Sequence, residues 1–223
     1  MAEVDVVRSQ IIDIGGADWD ELLPGVSAKR LWSDAATNRI CMLTRFSPGA
    51  TLPRHAHNGD ELVFVIEGVV ADEFGAVTAG NVGYRPNGCA HTVRSDKGAT
   101  ALAVVTGGVG KAGDGSGPAS LVIDLPATPW VDMMAGIRQK RFWADADAGR
   151  AATVNRFEPG AQLPKHRHNG DELVFVIEGT IEDEAGVLRP GQLGYRPDGC
   201  AHTVSSPNGA TVVAFLWGGI ETL

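Results

Sequence analysis

All six histidines of the 223-residue chain fall into two sets, His55, His57 and His91, then His166, His168 and His202. In LPRHAHNGDELVFVIEG (Leu52–Gly68) and LPKHRHNGDELVFVIEG (Leu163–Gly179), two imidazoles stand two residues apart. A glutamate, Glu61 or Glu172, follows four residues after the second, and the third histidine lies 30 residues beyond it. On a strand, residues two apart leave from one face, so both imidazoles of each pair point the same way. The segment Asn58-Gly59-Asp60 reads as a turn that reverses the chain and returns Glu61 to the same interior. His91 arrives on another segment. Three imidazole nitrogens and one carboxylate suit Zn, Fe(II), Mn, Co, Ni or Cu, whereas Ca and Mg take all-oxygen shells. A lone His-x-His is more often a surface or satisfied core pattern. A full donor set repeated at one spacing, with no histidine left over, points to one divalent transition metal per copy, its identity open among Zn, Fe(II), Mn and Ni.

Other residues near these donors have two readings each. Cys89 and Cys200 sit two before the third histidine. Either can be a redox-responsive thiol beside the metal or a small buried residue in a tight loop. Cys41 is Ala152 in the other copy and needs no chemistry. Arg85 and Arg196 can hold an anionic substrate by bidentate pairing or face outward, solvated or salt-bridged. Tyr84 and Tyr195, the only tyrosines, read as packed strand residues or as proton donors. Asp60 and Asp171 read as turn formers, or as carboxylates orienting a histidine. Trp32 and Trp143 read as core aromatics.

The elements that must carry these residues are duplicated. Ile12-Asp13 repeats as Ile123-Asp124, Trp19 as Trp130, Pro48-Gly49 as Pro159-Gly160, Gly80 as Gly191 and Gly107-Gly108 as Gly218-Gly219, always 111 residues on and without a gap. Two tandem domains follow, 1–110 and 120–223, joined by a Gly-rich linker over 111–119. Within each copy, short runs rich in Val, Ile and Phe are cut by turn signals such as SPG, HNGD and RPNG. Ile40–Phe46, Glu61–Glu67, His91–Ser95 and Ala99–Thr106 are of strand length, Asp18–Leu23 allows one helical turn, and the fold class is all-β. In Glu61–Glu67 the faces Glu61/Val63/Val65 and Leu62/Phe64/Ile66 are both apolar apart from the acids. Something must therefore cover the strand on both sides: the opposite sheet, the sister domain, or a second chain in a homodimer. The inward Val63 and Val65, with Val174 and Val176, predict an apolar pocket of small residues for a small ligand.

Composition narrows the function classes. The chain has 19 Lys+Arg against 27 Asp+Glu, a formal charge of −8. Nucleic-acid binding needs clustered basic surface, so no nucleic-acid partner is expected. Three cysteines do not build a disulfide framework. MAEVDVVRSQ lacks an apolar signal core and no run reaches membrane-spanning length, so a cytoplasmic protein without a membrane partner is expected.

These residues resemble the cupin superfamily. Its first motif, G(x)5HxH(x)3E(x)6G, is met by Gly49, His55, His57, Glu61 and Gly68, and again by Gly160, His166, His168, Glu172 and Gly179. Its second, G(x)5PxGxxH(x)3N, is met by Gly80, Pro86, Gly88 and His91, and by Gly191, Pro197, Gly199 and His202, with Ser95 and Ser206 in place of the final Asn. More narrowly, the HNGDE segment, the acidic DE hairpin and GYRPxGxxH resemble the cupin domain of ChrR-like anti-sigma factors. The resemblance implies a bicupin, a double-stranded β-helix (jelly roll) in each half with the metal inside. Anti-sigma factors of this type carry an N-terminal zinc-binding segment built on His and Cys. Residues 1–40 contain neither, so sigma-factor binding by that route is not expected. Two functions follow from the resemblance: a metal-dependent oxidoreductase of dioxygenase type, or a metal- or oxidative-stress-sensing regulatory module.

Overall fold

The computed structural model describes residues 7–12, 14–15, 18–112 and 117–223. Every regular element among them is a β-strand, and all pairing is antiparallel within two curled sheets. Asp20–Leu23, where a helical turn was admissible, is a strand instead. It lies beside Val26–Asp34 in register Asp20↔Ala28, because an edge position in the sheet offers its backbone more partners than one isolated turn.

The sheets are organised on the two histidine-bearing stretches. In the first half, strand Glu61–Asp72 lies between Ala99–Val105 and Val82–Arg85, and Ala50–His57 pairs with Ala90–Ser95. In the second half the same stretch is one strand, Ala161–Gly179, flanked by Ala210–Thr222, Leu193–Arg196 and Ala201–Ser206.

The expected reversal at Asn58-Gly59-Asp60 does not occur. The chain runs on through the segment and bends, because its neighbouring strand bends alongside it. Asn58 N–H donates to Gly108 O at 3.0 Å and Thr106 N–H to Asp60 O at 2.8 Å. Glycine on both sides permits the crossing. A side chain at Gly59 would strike the Thr106 carbonyl, and one at Gly107 the Asn58 carbonyl. Gly170 and Gly218 repeat the arrangement at φ +134° and +138°, a region that residues with a Cβ rarely enter.

The two interiors are built from matching positions. Val26, Phe46, Val65, Val77 and Val93 pack in one cluster. Ile137, Phe157, Val176, Leu188 and Val204, each 111 residues later, pack in the other. Truncating a buried Phe of this kind costs about 3–5 kcal/mol. Leu62, Val63, Phe64 and Val65 are all buried, so the strand is covered on both faces over these residues, whereas Ile66, expected on a covered face, is 38% exposed at its far end.

The compact units do not coincide with the sequence repeats at their N-terminal ends. One unit comprises Gly16–Ala127 and the other Thr128–Leu223 with the segment up to Gly15. Strand Gln10–Ile12 pairs with Leu193–Arg196 of the second repeat, and its counterpart Leu121–Ile123 pairs with Val82–Arg85 of the first. Each repeat thus lends its opening strand to the edge left bare by the other, which removes unpaired backbone groups at that edge. The expected boundaries at 110 and 120 describe the duplication, while these pairings describe the folded units. Residues 113–116 of the expected linker lie outside the described residues, and Leu121–Ile123 is already strand.

Candidate metal centres

In each unit the three histidines converge. His55 and His57 lie on Ala50–His57, and His91 lies on the neighbouring Ala90–Ser95 in register with His55. His166 and His202 are paired in the same way in the second unit. One nitrogen from each ring of a set lies within 4.8 Å of the others, so each set can hold a metal ion. The ring centroids stand 4.7–5.1 Å apart in the first set and 4.6–5.1 Å in the second.

The hydrogen bonds on the far side of the rings fix which nitrogen is free. His55 Nδ1 lies 2.9 Å from Pro53 O and His91 Nδ1 3.1 Å from an Asp72 carboxylate oxygen. Carbonyl and carboxylate oxygens only accept, so both Nδ1 atoms carry the proton and both Nε2 lone pairs face the centre. His166 with Pro164 O at 2.9 Å, and His202 with Asp183 at 3.1 Å, repeat the pattern. An outer acceptor that sets ring tautomer and direction is the usual companion of a metal-ligating histidine.

The inward nitrogens are also crowded. His57 Nε2 is 3.0 Å from His91 Nε2, and His168 Nε2 is 2.9 Å from His202 Nε2. Two metal–nitrogen bonds of ~2.1 Å meeting at right angles span ~3.0 Å, against ~3.4 Å at the tetrahedral angle. Nitrogens this close can ligate one shared ion. The donor set and its tautomers therefore fit a divalent transition metal.

Glu61 and Glu172 stand beside the imidazoles, 3.5 Å from His57 Nε2 and 3.8 Å from His168 Nε2 respectively. The compact group within 4.8 Å consists of the three histidines, with each glutamate next to it.

Burial pushes four of the imidazoles towards the neutral form that binds metal. Desolvation is the largest cause for His55, His57, His166 and His168, and His168 is held down to about 4. For Asp72, burial alone would raise the carboxyl. Hydrogen bonds from His91, Ser120 and the Phe74 backbone, with the charge of Arg85, outweigh it and keep the group well below the carboxylate range. Asp183 is lowered in the same way, with burial opposed by His202, Arg196, the Ala185 backbone and Ser9.

Several residues take positions that the sequence left open. Arg85 and Arg196 do not face outward. Both are buried and lie against the opposite aspartate, Arg85 Nη2 at 3.4 Å from Asp72 and Arg196 Nη2 at 2.9 Å from Asp183. Gly83 and Gly194 make room for the guanidinium groups, since a Cβ at either would collide with Nη1. Tyr84 and Tyr195 donate from their hydroxyls to Asp60 and Asp171 at 2.9 and 3.0 Å. Those aspartates also accept the backbone N–H of Asn87 and Asp198, so they brace loops. Cys89 and Cys200 are fully buried and desolvation pushes their thiols up, which disfavours the reactive thiolate. Ser95 and Ser206, which replace the family's final Asn, donate to Val69 O and Thr180 O, both at 2.7 Å.

Sequence reasoning missed Asp72 and Asp183, which orient the third histidine, and Ser9 and Ser120 on the exchanged segments. Ser120 Oγ donates to Asp72 at 2.6 Å. Ser9 Oγ lies 3.4 Å from His202 Nδ1 and 3.5 Å from Cys200 Sγ. Both pairs sit at the 111-residue repeat, the one signal that could have found them.

A pair of jelly rolls, each enclosing a three-histidine group with a neighbouring glutamate, defines a bicupin. The model of the ChrR cupin-like domain matches residues 7–109 and again 118–218, and the chain belongs to that family. Among solved structures it is similar to a mutant of oxalate decarboxylase OxdC from Bacillus subtilis, at 18% identity and TM-score 0.71 over 99% of this chain and 80% of that one. It is also similar to a "putative dioxygenase" of Nostoc punctiforme, at 12% identity and TM-score 0.78 over 97% and 83%. At such identities the likeness concerns the fold. No curated protein sequence matches the chain.

Proposed function

We propose that each barrel holds one divalent transition metal on its three histidines, with Glu61 or Glu172 as fourth donor, and that the protein is a small-molecule oxidoreductase of dioxygenase type. The observation that carries this reading is the convergence of the Nε2 lone pairs on a cavity. His166, His202, Glu172 and Arg196 border a space of about 90 Å³ that is otherwise walled largely by apolar side chains. His55, Glu61 and Arg85 border a smaller one of about 50 Å³.

An Fe(II), Mn or Ni ion bound here would supply open positions for O2 or a bidentate oxygen ligand, and Zn would polarise a carbonyl. The chain's own residues do the rest. Asp72 and Asp183 hold the third histidine in its ligating tautomer. Arg85 and Arg196 balance the aspartate charge. Val63 and Val174 present dry walls, where fixed charges act more strongly than in water. The oxalate decarboxylase and "putative dioxygenase" among the structural relatives accord with oxygen-rich small substrates, an analogy at the level of the fold.

The test is an oxygen-electrode trace of the Fe(II)-loaded protein against a panel of β-dicarbonyls and flavonols. Uptake abolished in the double variant His57→Ala/His168→Ala is the expected result. Full metal occupancy with no uptake across the panel would favour the second reading, a metal- or oxidative-stress-sensing module, which family membership supports.

A further inference from the structure

The two barrels share their histidines, glutamate and arginine, but differ on the wall of the cavity. In the second, Gln139, Thr153 and Asn155 line the space. Gln139 and Asn155 face each other across neighbouring strands. Gln139 Nε2 donates to Asn155 Oδ1 at 2.9 Å, and Asn155 Nδ2 donates to Thr153 Oγ1 at 3.1 Å. The positions 111 residues earlier are Ala28, Met42 and Thr44. The amide chain therefore exists in one barrel only.

Two carboxamides carry four N–H bonds in all. In the orientation above, one N–H of each amide is used inside the chain, and one of each remains. Turning both amides over lets Thr153 donate to Asn155 and Asn155 donate to Gln139, which leaves still more N–H groups. In either orientation at least two N–H groups are left over by these bonds, on residues that line a cavity whose remaining lining is mainly apolar. Half-buried donors beside an apolar lining are well matched by an acceptor oxygen on a ligand, since a polar group left unpaired on burial costs free energy.

We propose that the second barrel is the substrate-taking one, and that Gln139 and Asn155 select a small ligand with two oxygen-bearing ends, a short dicarboxylate or dicarbonyl. One end meets the metal face at His166, His202 and Glu172, while the other accepts the amide N–H groups. The cavity of about 90 Å³ suits a small ligand. The first barrel, with a smaller cavity lacking the amides, keeps a metal without this ligand. The inference rests on the metal reading under Proposed function.

The test uses the full chain loaded with Co(II), and malonate as the probe. Metal content is measured separately from malonate binding, which is followed by calorimetry and by the visible spectrum of the cobalt. We expect malonate to perturb the cobalt in wild type and in His57→Ala, and not in His168→Ala. Combining Gln139→Ala with Asn155→Thr, which installs the first-barrel residues, should leave the metal content unchanged. It should weaken malonate about tenfold or more, as loss of hydrogen bonds to a charged group does. Asn155→Asp, nearly isosteric, should weaken it further by placing a carboxylate against the ligand. Malonate binding unchanged in these variants, or lost with His57→Ala and kept with His168→Ala, would overturn the proposal. Absence of cobalt from both barrels would overturn the metal reading and this inference with it, and the metal assay tells that failure apart.

Discussion

At the scale of single residues, the site depends on groups that set the protonation of the histidines. Asp183 accepts from His202 Nδ1 at 3.1 Å and pairs with Arg196 at 2.9 Å, with both charged side chains nearly without solvent exposure. Asp183→Ala should lower the affinity of the second site for metal about 10–100-fold. It should also destabilise the protein by about 3–5 kcal/mol, because it strands a buried guanidinium. Metal titration and chemical denaturation read the two effects separately. The histidines make acid a second probe. His168 is held at about 4 against an ordinary 6.5. As pH falls through that window the unfolded chain takes up a proton that the folded site refuses, so stability falls with pH. His55, His57 and His166 are displaced in the same direction. The melting temperature of metal-free protein should therefore drop between pH 6.5 and 4, and metal should be released in the same range as protons compete for the ring nitrogens. A melting temperature flat or rising across that window would count against the buried, neutral imidazoles. The two histidine groups were legible in the sequence because type, spacing and duplication coincide in them. Asp72 was not, because an aspartate in a DEFG hairpin reads as a turn former until its register beside His91 is known.

At the scale of elements, the strands were readable from their alternation, and two connections were not. The HNGD segment carries every mark of a reversing turn. What bends it instead is a partner strand with its own glycines, Gly107-Gly108 or Gly218-Gly219, far away in sequence. The exchange of Gln10–Ile12 and Leu121–Ile123 was equally hidden, since periodicity says which residues form a strand but not which edge it joins. The exchange predicts an asymmetric effect of truncation. A chain starting at Ile14 loses Ser9 and the strand paired with Leu193–Arg196. Amide hydrogens of Leu193–Arg196 should then exchange faster, and the site of His202 should bind metal more weakly, while that of His91 keeps its affinity. Hydrogen exchange with metal titration of each site in turn, the other disabled by His57→Ala or His168→Ala, measures this. Equal loosening of both halves would contradict the assigned pairing.

At the scale of the whole molecule, duplication preserved two sets of donors and let the cavities diverge, at Gln139 and Asn155 against Ala28 and Thr44. Because the donors are intact in both halves, metal binding should couple to folding in both. A chelator should lower the melting temperature, and added metal restore it, by the linkage of a ligand that binds the folded state. The central claim is that each set of three histidines is a metal centre, and elemental analysis of protein purified without added metal tests it most directly. One ion per histidine group predicts close to two equivalents of a transition metal per chain, falling to about one in His57→Ala or His168→Ala and to none in the double variant. Fewer than about half an equivalent per chain, unchanged by either substitution, would contradict it.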